Sequence, residues 1–386
     1  MRTTAVRLYG ADDLRLESFE LPPITDEEIL VRVVSDSICM STWKLLKQGK
    51  AHKRVPQNVD THPIIIGHET AGVIVEVGAK WRDQFTPGEK FALQPALNYK
   101  GSLASPGYSY EFFGGSCTYT IIPHEVMELG CLLDYHGDSF FDASLGEPMS
   151  CILGGYHSNY HTNKQNYDHQ MGIKPGGNVL ILGGAGPMGL GAVEYPLATG
   201  QKPARIVVTD LDDARLERAR QLVSPEYAAS LGVEVQYVNT GGLEDPAAHL
   251  LGLTGGHGYD DVFVFAPVAA LAELGDQLLA FDGCLNFFAG PSDSHFKAPV
   301  NLYNCHYTAT HIMGSTGGTT DDLKEALELS ARGAIRPAVM VSHVGGIDSI
   351  IDTVARLPEI PGGKKLTYTG IRMPLTDIAD FAELGK

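Results

Sequence analysis

Four side chains in the first 150 residues are competent ligands for a divalent metal: Cys39 in SICMSTW, His68 and Glu69 in IIIGHETAGVIVEVG, and Glu147 in LGEPMS. A catalytic zinc takes about three protein donors from Cys, His and carboxylate and keeps one position open. Taken singly, each has a plainer reading, since buried cysteines, loop histidines and surface glutamates are common. A second constellation spans 178–210, NVLILGGAGPMGLGAVEYPLATGQKPARIVVTD. Gly184, Gly186 and Gly189 fit GxGxxG directly after the apolar run Val179–Leu182. Such a turn needs one glycine for the bend, one so that backbone can approach a pyrophosphate, and one for close helix–strand packing. The helix opening at Pro187 and Met188 offers free N–H groups and a positive dipole end to phosphate. Asp210 closes the next apolar run about where a ribose-binding acid belongs. A carboxylate there accepts from the ribose hydroxyls of NAD and repels the 2′-phosphate of NADP, and Asp212 and Asp213 add to the repulsion, so NAD(H) is expected over NADP(H).

These donors need elements to position them. Up to about Pro123 the pattern is one of short strands: Thr4–Tyr9, Leu14–Phe19, Ile29–Val34, Ala71–Val77, Lys90–Gln94 and Cys117–Ile122. Turns such as Pro22-Pro23 and Pro87-Gly88 separate them, which predicts a β-rich, barrel-like domain. Asp142–Met171 reads as helical and carries His157, His161 and His169. The first two, one turn apart on a helix, can chelate a metal, although a satisfied or exposed histidine is the commoner outcome. After Gly172 strands and helices alternate: Val179–Leu182, Ile206–Thr209, Val233–Val238, Asp261–Phe265 and Leu285–Ala289, with helical patterns at Asp212–Leu222 and Val268–Ala280. That rhythm predicts an α/β, doubly wound parallel sheet. Helical patterns at Asp321–Arg332 and Ile347–Leu357 and a strand at Lys365–Thr369 close the chain. Periodicity leaves open whether they extend the sheet or return to the first domain.

The chain has 386 residues, 44% hydrophobic and 19% charged, enough for two domains with ordinary cores. Its formal charge of −17 argues against nucleic acid and anionic membrane as partners. The N-terminus MRTTAVRLYG lacks an apolar signal core, and no run reaches the roughly 18 apolar residues of a membrane span, so a cytoplasmic location is expected. Six cysteines are scattered without a CxxC pair. Against the acidic balance, Lys44, Lys47, Lys50, Lys53 and Arg54 crowd into eleven residues just after Cys39. Such a run is either a solvated face or a phosphate-attracting patch, in which Arg54, a bidentate clamp, is the first choice.

Cys39 at a strand end, GHETAGVIVEVG from Gly67 to Gly78, Glu147-Pro148 and the GxGxxG turn together resemble the zinc-dependent medium-chain dehydrogenases over the whole chain. The resemblance implies a GroES-like catalytic domain from residues 1–150 and 315–386 around a Rossmann NAD-binding domain of residues 151–314. Carried onto this chain, it makes Cys39 and His68 zinc ligands and puts Glu147 at the third, in the glutamate version seen in polyol dehydrogenases. Glu69 then orients the site or binds the metal itself, and Ser41 passes a proton between substrate oxygen and solvent. Two departures are visible. Only Cys117 is present in Ala92–Cys117, where relatives often carry four cysteines, so one catalytic zinc and no structural zinc are expected. Lys44 stands where relatives often have a relay histidine.

Within the family, VSDSICMSTWK, HKRVP, GYSYEFFGG, GCLNFFAGP and PGGKKLTYTG resemble the ketose-phosphate reductases, which turn L-sorbose 1-phosphate into glucitol 6-phosphate with a nicotinamide cofactor. This implies a small sugar or polyol substrate, phosphorylated and met by Lys44 and Arg54, and an enzyme that is a homo-oligomer. An unphosphorylated polyol or secondary alcohol is the alternative substrate. A zinc-free quinone or enone reductase and a non-catalytic nucleotide-binding protein on the same fold are more distant readings.

Overall fold

The computed structural model describes residues 1–163 and 166–384. The chain divides into two compact units, one of Met1–Pro148, Thr319–Gly333 and Val341–Lys386, the other of Met149–Gly318 and Ala334–Met340. Among the described residues no helix is long and apolar enough to cross a membrane.

The first unit is built on the strand Ile29–Ile38, ILVRVVSDSI, whose β-branched residues are buried on both faces. It pairs antiparallel with Glu69–Val77 along its length, with Tyr119–Ile122 through its first residues, Ile29 to Arg32, and with Lys364–Tyr368 through its last, Ser35 to Ile38. Lys90–Leu93, Leu132–Asp134, Val341–Gly346 and Thr376–Asp377 extend the sheet to eight strands. A second sheet joins Asp13–Glu20, Arg2–Gly10 and Ile64–Ile65. One core gathers Val6, Leu8, Ile38, Leu45, Leu46, Ile64 and Ile350; another gathers Ile29, Val31, Ile74, Trp81, Phe91 and Ile122. Leu45 and Leu46 bring the helix Met40–Gln48 onto the first core directly after Cys39.

In the second unit six parallel strands run in the order Glu234–Asn239, Arg205–Asp210, Asn178–Leu182, Tyr259–Val264, Leu279–Phe287 and His311–Met313. Counted within the unit this is 3-2-1-4-5-6, the doubly wound order in which a crevice opens beyond the carboxyl end of the first strand. Val179–Leu182 has no exposed residue, as expected for a strand covered on both faces.

The expected helix over Asp142–Met171 is not a single element. A short helix Phe140–Ser144 precedes a longer one, Gly146–Ser158, after which Tyr160–Thr162 pairs antiparallel with His169–Met171; Lys164 and Gln165 lie outside the described residues. The reason is long-range. His161 Nε2 lies 3.2 Å from both carboxylate oxygens of Asp261, and its Nδ1 lies 2.9 Å from the carbonyl oxygen of Asp282. The Asp282 carboxylate in turn accepts from the Thr162 backbone and hydroxyl. Pairing a buried imidazole with a buried carboxylate outweighs one more turn of helix. His157 Nε2 meets the Tyr195 hydroxyl at 2.8 Å and His169 stacks on Tyr160, so the three histidines part company and none joins a metal-ligand group among the described residues.

Burial pushes the His161 pKa down, but its hydrogen bond and charge interaction with Asp261, with those from Asp282, outweigh burial and raise it above the ordinary 6.5. A raised folded pKa means stability that is fully present below 6.5 and is lost as pH rises through the folded value. His161→Gln should therefore lower stability by about 2 kcal/mol at acidic pH and by less at alkaline pH. Urea midpoints of both proteins across the range check this; a pH-independent gap would contradict it.

Candidate active site

The register of three neighbouring strands assembles the first site. Ser37 lies opposite Glu69, and Ile38 opposite Lys365. Cys39, His68, Glu69 and Lys364 therefore fall at one end of the sheet, although 325 positions separate the first from the last in sequence. Gly67 permits the approach: its φ is +90°, and a Cβ there would sit 2.1 Å from Asp36 Oδ2 and 2.6 Å from the Ser116 nitrogen. Only glycine tolerates both conditions.

One donor atom each from Cys39, His68 and Glu69 lies within 4.8 Å of the others. Zinc bonds of about 2.0–2.3 Å bridge such a trio with small side-chain adjustments. His68 and Glu69 are buried. Ser37 Oγ donates to Glu69 Oε2, and Lys364 Nζ donates to Oε1 at 2.8 Å, in an ion pair whose partners are almost wholly out of water. Glu147, in the first turn of Gly146–Ser158, lies outside the trio but within its field: burial, then the charge of Glu69, push its carboxyl up to about 7. The Cys39 thiol is also pushed up, by burial and then by Glu69. Burial alone would discharge Lys364, yet Glu69, Cys39 and Glu147 outweigh it and raise its pKa. Two carboxyls and a thiol facing one ammonium leave surplus acid that a divalent cation offsets, so this donor set fits zinc.

Ser41 Oγ stands 3.4 Å from His68 Nε2 and hydrogen-bonds the Tyr108 side chain. The Tyr108 ring lies 5.2 Å from that of His68 and stacks at 5.3 Å on His52, and the Arg54 guanidinium carbon is 5.6 Å from its centroid. Lys44 is half-buried on the helix Met40–Gln48. Lys47 and Lys50 turn outward to Asp12 and Asp60, at 2.7 and 2.9 Å. The segment of Ala92–Cys117 is tied by Ser105 Oγ to the Pro95 carbonyl at 2.8 Å and by Tyr99 to Glu128 at 2.6 Å, with Cys117 fully buried.

The second unit carries its own site. Gly184 lies in the turn just after the strand Asn178–Leu182, Gly186 is the N-cap of the helix Pro187–Ala198, and a Cβ at Gly189 would lie 2.1 Å from the Gly184 carbonyl oxygen. Nothing lies within 4 Å of a Cβ built at Gly186, so the space at the start of the helix is open; Pro187 carries no N–H, and the free donors of the first turn begin at Met188. Asp210 Oδ2 accepts from the Ala185 N–H at 3.3 Å, and Oδ1 from Leu211 at 2.8 Å and Asp212 at 3.3 Å. The acid is thus fixed beside the glycine turn.

A GxGxxG turn in one unit and a Cys-His-Glu trio able to hold a metal in the other point to a zinc-binding dehydrogenase. Family models agree: residues 25–129 match the alcohol dehydrogenase GroES-like domain and residues 187–332 the zinc-binding dehydrogenase domain. The chain belongs to this oxidoreductase family. It is 52% identical, over 385 residues covering 100% of this chain and 91% of the relative, to mannitol-1-phosphate 5-dehydrogenase of Aliivibrio fischeri. To L-sorbose 1-phosphate reductase of Klebsiella pneumoniae it is 47% identical over 381 residues, 99% and 92% of the two chains. Its fold superposes on 2R,3R-butanediol dehydrogenase from Bacillus subtilis with a TM-score of 0.77 at 21% identity, covering 95% and 99%.

Lys364, Tyr108 and His52 belong to the site and escaped the sequence reading as functional residues. For Lys364 a signal was present: adjacent lysines opening an otherwise apolar strand, in PGGKKLTYTG, must both find buried acceptors. Breaking its pair by Lys364→Met should destabilise the metal-free protein by about 3 kcal/mol, because Glu69 is left buried and unpaired. Zinc takes over that charge, so the loss should shrink in the zinc-loaded protein; equal losses in both forms, read from urea unfolding, would contradict the shared-charge account.

Proposed function

We propose that the protein transfers hydride between NAD(H) and a ketose or polyol phosphate, with L-sorbose 1-phosphate reduced to glucitol 6-phosphate as the leading reaction. The trio of Cys39, His68 and Glu69 carries this reading, and Glu147 supplies a further carboxylate within its field. The names of the relatives at 52% and 47% identity both contain a sugar or hexitol phosphate, which favours a phosphate ester over a free polyol and makes mannitol 1-phosphate the second substrate to test.

Cys39, His68 and Glu69 would hold the zinc, Glu147 standing by as an alternative donor. Bound zinc and nicotinamide supply, respectively, Lewis-acid polarisation of the carbonyl and the hydride. The chain's own residues do the rest. Ser41, oriented by His68 and Tyr108, passes its hydroxyl proton to the oxygen that gains charge during reduction and takes a proton back from solvent, so the net donor is water. Lys364 Nζ, 2.8 Å from each carboxylate oxygen of Glu69, holds the carboxylate in place and so sets where its donor atom sits. Asp210 receives the ribose hydroxyls and disfavours a 2′-phosphate, which supports NAD(H) over NADP(H), while the turn at Gly184, Gly186 and Gly189 and the helix start receive the pyrophosphate. The catalytic domain of this reading comprises residues 1–150 and 315–386, the cofactor domain residues 151–314.

His68→Ala should abolish turnover and lower bound zinc while NADH binding, followed by its fluorescence, persists; undiminished turnover would rule the zinc mechanism out. Asp210→Ala should raise the KM for NADH about tenfold and narrow the gap to NADPH, through loss of the ribose hydrogen bonds. An unchanged cofactor preference would remove Asp210 from that role.

A further inference from the structure

Of the five cations that follow Cys39, Arg54 is set apart by its surroundings. Lys47 and Lys50 are engaged with Asp12 and Asp60 at the surface, and Lys53 is exposed. Arg54 is half-buried, its backbone is fixed at both ends, and its guanidinium meets no carboxylate among the described residues. The Arg54 N–H donates to His52 Nδ1 at 3.3 Å, and Ser109 Oγ donates to the Arg54 carbonyl at 2.8 Å. The side chain rests against Tyr108, which stacks on His52 and also touches His68 and Ser41. With no acidic partner among the described residues and its guanidinium resting only on an aromatic ring, Arg54 keeps its hydrogen-bond fork open to an anion, in a chain of charge −17. Local charge agrees: burial and then the positive charges of Arg54 and Lys53 push His52 below its ordinary value.

We infer that Arg54, carried on the His52–Tyr108 stack, is the subsite for the phosphate of an open-chain sugar phosphate whose carbonyl oxygen is held beside His68 and Ser41. Tyr108 acts as the spacer: its ring separates the guanidinium from the metal-ligand end, and its side chain is hydrogen-bonded to Ser41, so one rigid group sets the distance between the two ends of the substrate. The planar guanidinium fork suits a phosphate dianion, and the surrounding negative charge makes a local positive site the natural landing point. This rests on the phosphorylated-substrate reading above.

The test compares kcat/KM for L-sorbose 1-phosphate with that for L-sorbose in wild type, Arg54→Gln, Arg54→Lys and Lys47→Gln. Each variant is checked for zinc content and for NADH binding, so that a misfolded protein is recognised. Arg54→Gln should cut the ratio of the two kcat/KM values by about 100-fold, mainly through KM, with Arg54→Lys restoring part of it. Lys47→Gln should keep the ratio within about twofold, as expected for an exposed ion pair. If wild type prefers the ester and Arg54→Gln keeps that preference, the subsite is wrong while the substrate reading stands. If Lys47→Gln loses as much as Arg54→Gln, a diffuse surface field replaces the subsite. No preference in wild type sinks the subsite together with the substrate reading.

Discussion

The catalytic unit depends on one buried ion pair and on the strand register that makes it. Lys364 and Glu69 come from strands on opposite sides of Ile29–Ile38, and their contact at 2.8 Å is possible only when both neighbours are correctly aligned with that strand. A slip of one residue would turn each side chain to the other face. The same alignment brings Cys39 to the strand end beside His68. Lys365, next in sequence, points the opposite way and is enclosed by the carbonyls of Ile360, Pro361 and Gly363, at 3.2, 2.8 and 2.6 Å, and by Ser342 Oγ at 3.4 Å. Two consecutive lysines, each satisfied on its own face, pin the closing strand in place.

Electrostatics then couples the fold to the chemistry. Glu69, Glu147, Cys39 and Lys364 lie too close together for their charges to be independent, which is why burial and mutual repulsion push Glu147 up to about 7. Burying such a group is costly unless something balances it. A divalent cation does so, and the geometry that stabilises it is the geometry that presents a Lewis acid to a carbonyl. In the cofactor unit the constraint is steric: the close approach of Gly189 to the Gly184 carbonyl leaves no room for a side chain, and the space around Gly186 stays open for a ligand.

Local features were legible in the sequence. The GHE segment, the GxGxxG turn, the acid at Asp210 and the alternation of strand and helix after Gly172 each declare themselves within a few dozen residues, and the parallel six-stranded sheet follows from them. What was not legible is what long-range contacts decide. The Asp142–Met171 segment has a helical rhythm, but Asp261 and Asp282, 100 and 121 positions away, claim His161 and turn the chain into a hairpin. Lys364 and Tyr108 become site residues only when distant strands and loops bring them to Glu69 and His68. Within the lysine run, sequence favoured Arg54 for its chemistry, and only the neighbours reveal how it differs from Lys47 and Lys50.

The central claim is that this buried acid cluster binds the zinc on which turnover depends. The most direct measurement is NADH oxidation with L-sorbose 1-phosphate by protein stripped of metal and then titrated with zinc. Activity should be absent at the start and rise linearly to a plateau at about one zinc per chain, as a single site of three or four protein donors requires. Full turnover by the stripped protein, or a plateau unrelated to bound zinc, would contradict the account.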